Sequence, residues 1–417
     1  MPMSHEKNYQ DLVDNLILEG ISQGITGMYD IIGFLPGVYP EEVLKSLRRL
    51  NGSGKIPATI YHNATKIVSK RDDGDSKLYD DELPIPHPLD YDWRFSSVAI
   101  NHILNICLNI TKPKMTIAFL GTPSIFLAAT ERGIQRKVIL YDKNAKPVAS
   151  AESKSSVMAK RCDLFYESVG YNLARVVVTD PPWYEEYIRL FLWEACRICE
   201  INGNIVISLP PIGTRPGIDV ELKKILFWSK KLGLELIKID KGVIPYKSPP
   251  FEKNAMSAAG IYAVPDDWRR GDLAIFTLEK KIEVARPELP IEAGWHEEAI
   301  GKVRIKIRPQ YTSYFEDPGM ISFVPNDILP SVSRRDSRRK DVDIWTTGNR
   351  IYKCKGRNAL ICILNAMKNN ISPVVDLKML YKRSFTATEF IAINRSVDQI
   401  TKLIDIEYRE YVSSRAA

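Results

Sequence analysis

The sequence lacks any long apolar run. No stretch of its 417 residues approaches the roughly 18 consecutive apolar residues that a membrane-spanning helix requires. The opening segment, MPMSHEKNYQDLVDN, also has no apolar core of the kind found in signal peptides. We therefore expect a cytoplasmic protein that makes no contact with a membrane.

Cysteine is scarce as well. Six cysteines in a chain of this length are too few and too scattered for a disulfide framework. Cys196 and Cys199 form a single CxxC within a segment of helical periodicity, and no second Cys or His pair has zinc-finger spacing. We interpret these thiols as core residues and predict no metal site.

The chain is too long for one ordinary domain, and its pattern changes three times along its length. Residues 1–68 carry three helical patterns and then the β-rich segment IPATIYH, which is typical of a winged-helix-like domain. Its third helix could contact nucleic acid, and a small dimerisation or docking domain is the alternative. The charged, proline-containing residues 69–86 indicate a linker, and residues 285–417 a separate α+β C-terminal domain.

Residues 87–284 alternate strand and helix signals, which predicts an α/β domain. Uninterrupted runs of Val and Ile indicate strands covered on both faces, as in a parallel sheet. The predicted strands are 115–121, 137–142, 175–180, 204–210 and 234–240, and the predicted helices are 96–110, 124–132, 184–200 and 219–232. The later segments GIYAV and LAIFTLEKK would complete a seven-stranded, doubly wound sheet.

Ligands bind open parallel sheets at the carboxyl ends of the strands, so the residues there are candidates for a site. The first predicted strand ends in Gly121, Thr122, Pro123 and Ser124, where the backbone can approach a ligand and open a helix. The second ends in Asp142, whose carboxylate could accept hydrogen bonds from both hydroxyls of a ribose. Together they favour a cofactor that carries a nucleoside.

The third predicted strand ends in VVVTDPPWY, a corner rich in hydrogen-bond acceptors. Pro181 and Pro182 remove two backbone donors, so the carbonyl groups there can only accept hydrogen bonds, and Asp180 adds two more acceptors. Trp183 or Tyr184 could stack on a planar base. We predict that Asp180 and the Pro181 carbonyl hold both hydrogens of an amino group and direct its lone pair at an electrophile.

The DPPW corner resembles the amine-binding motif of class I S-adenosylmethionine-dependent amino-methyltransferases, in particular their N6-adenine members. IAFLGTPSIF resembles the first-strand corner of the same group, and YDWRFSS stands where those enzymes carry an aromatic segment over the cofactor. The resemblance covers about residues 87–280. It implies a Rossmann-like methyltransferase domain with S-adenosyl-L-methionine as its cofactor.

The resemblance also implies roles for individual residues. Asp180, Pro181, Pro182 and Trp183 would be catalytic, holding the amine. The cofactor would be bound by Trp93, Phe95, Gly121, Thr122, Pro123, Ser124 and Asp142.

The chain also resembles the branched-polyamine synthases, which join a winged-helix domain to a Rossmann-like domain with an Asp-Pro-Pro corner. Those enzymes transfer aminopropyl from decarboxylated S-adenosylmethionine to a polyamine. A polycationic acceptor requires several carboxylates around the site. The segments expected to overhang it instead carry mainly basic residues, among them Arg215 and Lys247.

This charge balance favours nucleic acid as the partner, with Tyr184, Arg215 and Lys247 as substrate contacts. The basic stretches SRRDSRRKD (333–341) and RIYKCKGR (350–357) agree with it. The first hypothesis is thus methyl transfer to an amine, foremost N6 of adenine in DNA or RNA. The alternatives are an aminopropyltransferase, a protein-lysine methyltransferase, and a non-catalytic nucleic-acid-binding scaffold, which the single-glycine cofactor loop would allow.

Overall fold

The computed structural model describes residues 2–35, 37–65, 83–144, 156–171, 173–262, 264–290, 294–310 and 314–416. The chain divides into two compact units. Unit 1 comprises residues 1–79, 94–248 and 263–290, and unit 2 comprises residues 80–93, 249–262 and 291–417. Residues 69–82 of the predicted linker lie outside the described residues, and the bounds of the four predicted segments stay predictions.

Helices form the start of unit 1: α1 (Pro2–Ser22), α2 (Met28–Phe34), α3 (Pro40–Gly52) and α4 (Ala58–Thr65). Helix α3 begins at Pro40, with Glu41 and Glu42 in its first turn, where they favour the positive end of the helix dipole.

Helix α4 corrects one expectation, because it occupies most of IPATIYH, the segment expected to be β-rich. The Pro57 carbonyl accepts hydrogen bonds from the Ile60 and Tyr61 amides and so begins a helical turn. A short apolar run does not by itself distinguish strand from helix. Since no strand precedes Arg94 in the described part of the chain, the winged-helix prediction is not confirmed.

The rest of unit 1 is built on one large sheet of eight strands, counted over the described residues. Its strands are β1 (Arg94–Phe95), β2 (Thr116–Leu120), β3 (Lys137–Asp142), β4 (Val157–Arg161), β5 (Ala174–Thr179), β6 (Cys199–Leu209), β7 (Leu234–Lys247) and β8 (Arg270–Leu278). The order across the sheet is β1-β7-β8-β6-β5-β2-β3-β4. In this order, β6, β5, β2, β3 and β4 are each parallel to the next strand. The pairs β6–β8, β8–β7 and β7–β1 are antiparallel.

This mostly parallel sheet is consistent with the predicted Rossmann-like fold, although it has one strand more than the seven expected. The short strand β1 pairs Arg94 with Lys247 and Phe95 with Tyr246 at the end of β7. Strand β4 was not predicted, since only five residues form it and most are polar or small. The five predicted strands correspond to β2, β3, β5, β6 and β7.

Helices α5 (Ser97–Ile110), α6 (Pro123–Glu131), α7 (Glu185–Ile198) and α8 (Ile218–Lys231) match the four predicted helices. Alternate residues of the parallel strands face opposite sides of the sheet. Ala118 and Leu120 of β2 join the core cluster that contains α7, while Phe119 contacts Phe126 of α6 at 6.1 Å between ring centroids. Helices therefore cover both faces and leave the strand ends to form a site.

Unit 2 contains a second sheet, of order β11-β13-β12-β10-β9 among the described residues. Its strands are β9 (His296–Ile300), β10 (Val303–Ile307), β11 (Gly319–Ile321), β12 (Ile344–Thr346) and β13 (Ile351–Lys355). Its helices are α9 (Pro250–Ala258), α10 (Arg357–Lys368), α11 (Pro373–Tyr381) and α12 (Ala387–Ala416), of which α10 and α12 were predicted. None of the described helices has both the length and the apolarity needed to cross a membrane.

A buried carboxylate fastens the end of unit 1 to helix α7. Glu194 is fully buried, and its carboxylate accepts hydrogen bonds from Ser168 Oγ, from the Val169 amide and from Arg286 Nε at 2.8 Å. Arg286 also donates to the Leu164 carbonyl at 2.6 Å. Removal of the guanidinium would leave a buried negative charge without its cation.

We predict that Arg286→Ala lowers the free energy of unfolding by about 3 kcal/mol, because the Glu194 carboxylate stays buried after its partner is lost. Chemical denaturation followed by circular dichroism measures the change. Lys281→Ala, at an exposed position of the same segment, is the matched control. A loss equal to that of the control would contradict a structural role for this ion pair.

Candidate active site

The DPPW corner lies at the carboxyl end of β5, between two other strand ends. Thr179, the last residue of β5, pairs with Leu120 of β2 and with Ile207 of β6. The corner at Gly121 follows Leu120 directly, and a Cβ placed on Gly121 would lie 3.8 Å from the Asp180 carbonyl oxygen and 3.1 Å from Phe191. Gly121 also has a φ of +65°, which favours glycine. The structure thus brings the two predicted corners together.

The side chain of Asp180 is held by a tyrosine. The Tyr246 hydroxyl, near the end of β7, donates a hydrogen bond of 2.7 Å to Asp180 Oδ1. Tyr246 is buried, and this burial, together with the neighbouring Asp180 carboxylate, raises the pKa of Tyr246 well above its usual range. The tyrosine therefore stays protonated at neutral pH and can keep donating to Asp180.

A serine links this tyrosine to the tryptophan of the corner. Ser208 Oγ lies 2.5 Å from the Tyr246 hydroxyl oxygen, and the Trp183 indole N–H donates to Ser208 Oγ at 3.1 Å. Because Tyr246 gives its only proton to Asp180, the Ser208 hydroxyl must donate to Tyr246. The hydrogen bonds run in one direction, from Trp183 through Ser208 and Tyr246 to Asp180. We call these four residues the Asp180 relay.

The rings of the relay pack closely around a glycine. Trp183 meets Tyr246 edge-on, at 5.4 Å and 87°, and Phe95 lies against Tyr246 at 4.8 Å and 31°. Gly271 of β8 faces the same group: a Cβ there would lie 2.9 Å from Trp183 Cζ2 and 3.1 Å from Ser208 Oγ. Only a residue without a side chain leaves Trp183 in this position.

The backbone of the corner presents acceptors as expected. The Pro182 carbonyl accepts a hydrogen bond of 2.7 Å from the Tyr184 amide. No described group donates to the Pro181 carbonyl. The Asp180 side chain and this carbonyl thus belong to neighbouring residues of the chain.

The predicted cofactor residues lie at the neighbouring strand ends. Thr122 precedes helix α6, whose first residue is Pro123, and Ser124 is buried in its first turn. The Thr122 hydroxyl and the hydroxyl of Thr179 are both buried, and neither has a hydrogen-bond partner among the described residues. Two buried hydroxyls without partners beside a glycine corner fit a polar ligand such as S-adenosylmethionine.

Asp142 ends β3 next to this corner. The Gly121 amide donates to the carbonyl of Tyr141, the preceding residue, at 2.9 Å, and Asp142 Oδ1 accepts a hydrogen bond of 2.7 Å from the Asn144 amide. The Asn144 bond is that of a turn, and the position is the one expected for a ribose contact. Its role with a cofactor stays a prediction.

The two residues of YDWRFSS that were predicted to bind the cofactor, Trp93 and Phe95, lie in different surroundings. Phe95 belongs to unit 1, contacts Tyr246 and lies on β1, which packs near α6. Trp93 belongs to unit 2, where its indole N–H donates to Glu252 Oε2 at 3.2 Å and its ring meets Phe251 edge-on. Their predicted cofactor contacts remain untested, and Phe95 has a described contact with the Asp180 relay.

Two cations lie over the aromatic rings of the corner. The Arg215 guanidinium is 5.0 Å from the Tyr184 ring centroid, and Arg215 also pairs with Glu221. The Arg269 guanidinium is 5.6 Å from the Trp183 ring and 4.8 Å from the Trp268 ring. Arg269 was not among the predicted residues. Lys247 was among the predicted residues, and its backbone lies opposite that of Arg94 where β7 pairs with β1.

Sequence reasoning also missed Ser208, Tyr246 and Gly271. Ser208 could have been found, because it is the third residue from the end of the predicted strand 204–210, next to the DPPW corner. Tyr246 and Gly271 lie on antiparallel strands whose pairing no local pattern specifies.

No protein-family model and no curated protein matches this chain. The branched-chain polyamine synthase from Thermus thermophilus, solved with N4-aminopropylspermidine and 5'-methylthioadenosine, is similar in structure. The TM-score is 0.52 at 11% identity, over 70% of this chain and 97% of that chain. Its C9 mutein gives a TM-score of 0.53 at 11% identity, over 69% and 95%.

A TehB-like SAM-dependent methyltransferase from Corynebacterium glutamicum matches with a TM-score of 0.30 at 11% identity, over 44% of this chain and 88% of that chain. This third likeness is too low to support an argument. The likeness to the synthase shows a shared fold, and at such low identity it shows nothing about activity.

We predict that Gly271→Ala lowers the free energy of unfolding by about 1–3 kcal/mol, because the new methyl group would displace Trp183 or Tyr246. Urea denaturation measures the loss. Gly319→Ala in β11 is the matched control, since no atom lies within 4 Å of the added Cβ there and its φ is not positive. Equal stability of the two variants would show that the relay accommodates a side chain.

Proposed function

We propose that this protein transfers the methyl group of S-adenosylmethionine to an amino group, with N6 of adenine in DNA or RNA as the acceptor. The supporting observation is the Asp180 carboxyl group, held by Tyr246 at a strand end that adjoins the Gly121 corner. In this proposal the acceptor amine and the cofactor occupy adjoining strand ends.

The Asp180 corner can bind an aromatic amine in one orientation. Asp180 and the Pro181 carbonyl accept its two hydrogens, which leaves the nitrogen lone pair as the remaining polar feature of the amine. Trp183, fixed by its hydrogen bond to Ser208, offers a ring for the base to stack on. Orientation of this kind is a large part of catalysis when the electrophile is already reactive.

The cofactor supplies that electrophile, a methyl group on a sulfonium. On the side of the protein, Gly121 allows close approach of the ligand, and Thr122, Ser124 and Asp142 offer hydroxyl and carboxylate groups to its polar parts. No strong base is required, because the amine loses its proton to water or to Asp180 only once its nitrogen carries a positive charge.

The charges around the corner favour an anionic acceptor. Arg215 and Arg269 lie over the rings of Tyr184 and Trp183, the residues that follow the prolines. In this proposal Arg269 contributes to the attraction of a phosphate-bearing substrate, while the charge of Arg215 is paired with Glu221. For this reason we place aminopropyl transfer to a polyamine second, although a polyamine synthase shares the fold.

We predict that Asp180→Ala reduces methyl transfer at least about 100-fold while binding of S-adenosylmethionine changes by less than about threefold, because only the amine loses its acceptor. Transfer of radiolabelled methyl to an adenine-containing oligonucleotide and calorimetry provide the two measurements. An oligonucleotide with purine in place of adenine should accept no methyl. Asp219→Ala, an exposed aspartate, is the control variant. Unchanged transfer in Asp180→Ala would refute the proposal for the corner.

The two transferase chemistries differ in their cofactor, which allows a direct test. We predict that S-adenosylmethionine binds at least about tenfold more tightly than its decarboxylated form, since a methyltransferase must retain the intact methionine end. Competition calorimetry with both compounds measures the ratio. Preference for the decarboxylated form, with aminopropyl transfer to spermidine, would establish the second candidate instead.

A further inference from the structure

The loop that joins β6 to α8, residues 210–217, lies beside the DPPW corner. It carries Arg215, whose guanidinium lies over the ring of Tyr184. The amide and the hydroxyl of Thr214 both donate to the Pro211 carbonyl, at 3.0 and 2.7 Å, and so form a tight turn. Because no sheet or long helix holds such a turn, its place beside the corner depends on what packs against it. We call residues 210–217 the β6–α8 loop.

The segment before β8, residues 264–269, adjoins the same corner. Its Arg269 guanidinium lies over the Trp183 ring. The Arg269 carbonyl accepts a hydrogen bond of 2.8 Å from the Tyr246 amide, so the backbone here contacts a member of the Asp180 relay. Together with the β6–α8 loop, this segment places one guanidinium over each of the two rings that follow the prolines.

Residues 37–40, which join α2 to α3, pack against the β6–α8 loop within unit 1. Gly37 is buried and has a φ of +75°, a conformation that favours glycine. A Cβ placed on Gly37 would overlap Pro211 Cγ and would lie 3.2 Å from Thr214 Oγ1. The missing side chain therefore lets the backbone of the N-terminal region lie directly against the turn of the loop.

Two tyrosines of the N-terminal helices extend this contact. The hydroxyl of the buried Tyr9, in α1, donates a hydrogen bond of 3.1 Å to the Gly213 carbonyl in the β6–α8 loop. The ring of Tyr39, which directly precedes α3, meets the ring of Trp268 edge-on at 5.7 Å and 71°. Trp268 is buried in the segment before β8. The N-terminal helices thus contact both segments that adjoin the corner.

The basic side chains of α3 are partly engaged within unit 1. Lys45 Nζ lies 3.1 Å from Glu41 and 2.8 Å from Glu42, the two acids in the first turn of the same helix. Arg49 pairs with Asp14 of α1 at 2.8 Å. These ion pairs agree better with helices that serve the interior of unit 1 than with a nucleic-acid contact by the third helix.

We propose that the N-terminal helices position the acceptor end of the candidate site through Tyr9, Gly37 and Tyr39. These residues hold the β6–α8 loop and the segment before β8, which in turn place Arg215 and Arg269 over the rings of the corner. A loop that is already fixed loses less conformational entropy when a ligand binds. The inference rests on the proposed function in one respect, namely that the DPPW corner receives the amine acceptor.

Gly37→Ala in the full chain tests the contact, because its methyl group must displace Pro211. We predict that this variant binds adenosine monophosphate about tenfold more weakly, since a displaced loop no longer sets the surroundings of the corner. Its affinity for S-adenosylmethionine should change less than about twofold, because the Gly121 corner lies on other strands. Calorimetry measures both affinities. Adenosine monophosphate is the probe because it carries the adenine amine and a phosphate.

Two matched variants separate the contact from backbone strain. Gly24→Ala introduces the same kind of strain, since Gly24 has a φ of +84°, but no atom lies within 4 Å of its added Cβ. It should bind adenosine monophosphate as the wild type does. Pro211→Ala removes the Cγ atom that the methyl group of Gly37→Ala would meet. We therefore expect Gly37→Ala/Pro211→Ala to recover at least about threefold of the lost affinity.

Hydrogen exchange provides a measurement that needs no ligand. Tyr9→Phe removes only the hydroxyl that bonds to the Gly213 carbonyl, so the fold should be retained. In this variant and in Gly37→Ala, the amides of residues 212–217 should exchange about tenfold faster, while those of β2 and β5 keep their rates. Mass spectrometry of peptides that cover these segments measures the rates.

The inference is overturned if Gly37→Ala and Gly24→Ala bind adenosine monophosphate equally well. It is also overturned if Gly37→Ala loses as much affinity for S-adenosylmethionine, because general damage to the domain would then explain the result. Methyl transfer to adenosine distinguishes this failure from that of the proposed function. If the wild type transfers no methyl group but Gly37→Ala weakens binding and Pro211→Ala restores it, the positioning role stands and the proposed function fails. If the wild type methylates adenosine and Gly37→Ala does so with unchanged KM, the proposed function stands and the inference fails.

Discussion

The hydrogen bond from the Tyr246 hydroxyl to Asp180 fixes the geometry of the candidate site. It joins the end of β7 to the end of β5, two strands that are not neighbours in the sheet. Burial keeps the tyrosine protonated, so it can donate this hydrogen bond across the physiological pH range. Ser208 is hydrogen-bonded to the same tyrosine, and Trp183 to Ser208. Loss of the Tyr246–Asp180 bond would therefore free the Trp183 ring as well as the Asp180 side chain.

The antiparallel end of the sheet carries that tyrosine on β7. Strand β7 runs past an irregularity between Asp240 and Ile244 before it reaches Tyr246. There the Gly242 amide donates to Asp272 Oδ1 at 2.8 Å, which ties the irregular part of β7 to β8. Burial raises the pKa of Asp272, which shows that the ionised carboxylate is costly to bury there. Its hydrogen bond from the Gly242 amide nevertheless fixes the irregular part of β7. Gly271, one residue earlier on β8, then leaves space for Trp183.

The sequence is informative where structure follows from local pattern. Continuous Val and Ile runs predict the strands that end at Gly121, Asp142 and Asp180, and because parallel strands end at one edge of a sheet, the sequence also predicts that these residues lie close together. Tyr246, Gly271 and Arg269 could not be found in this way. Their place depends on the long-range pairing of β7 with β8 and β1, which is set by tertiary contacts rather than by periodicity. For a similar reason the pattern of IPATIYH predicts β structure, although a helix begins at Ala58, directly after Pro57.

Cations lie over aromatic rings in both units. In unit 1, Arg215 and Arg269 lie over Tyr184 and Trp183, the residues that follow the prolines of the DPPW corner. In unit 2, Arg308 and Arg339 lie over Trp295 and Trp345. A ring packs on the flat face of a guanidinium and leaves its N–H donors, which lie in the plane, available to an acceptor, as in the pair of Arg215 with Glu221.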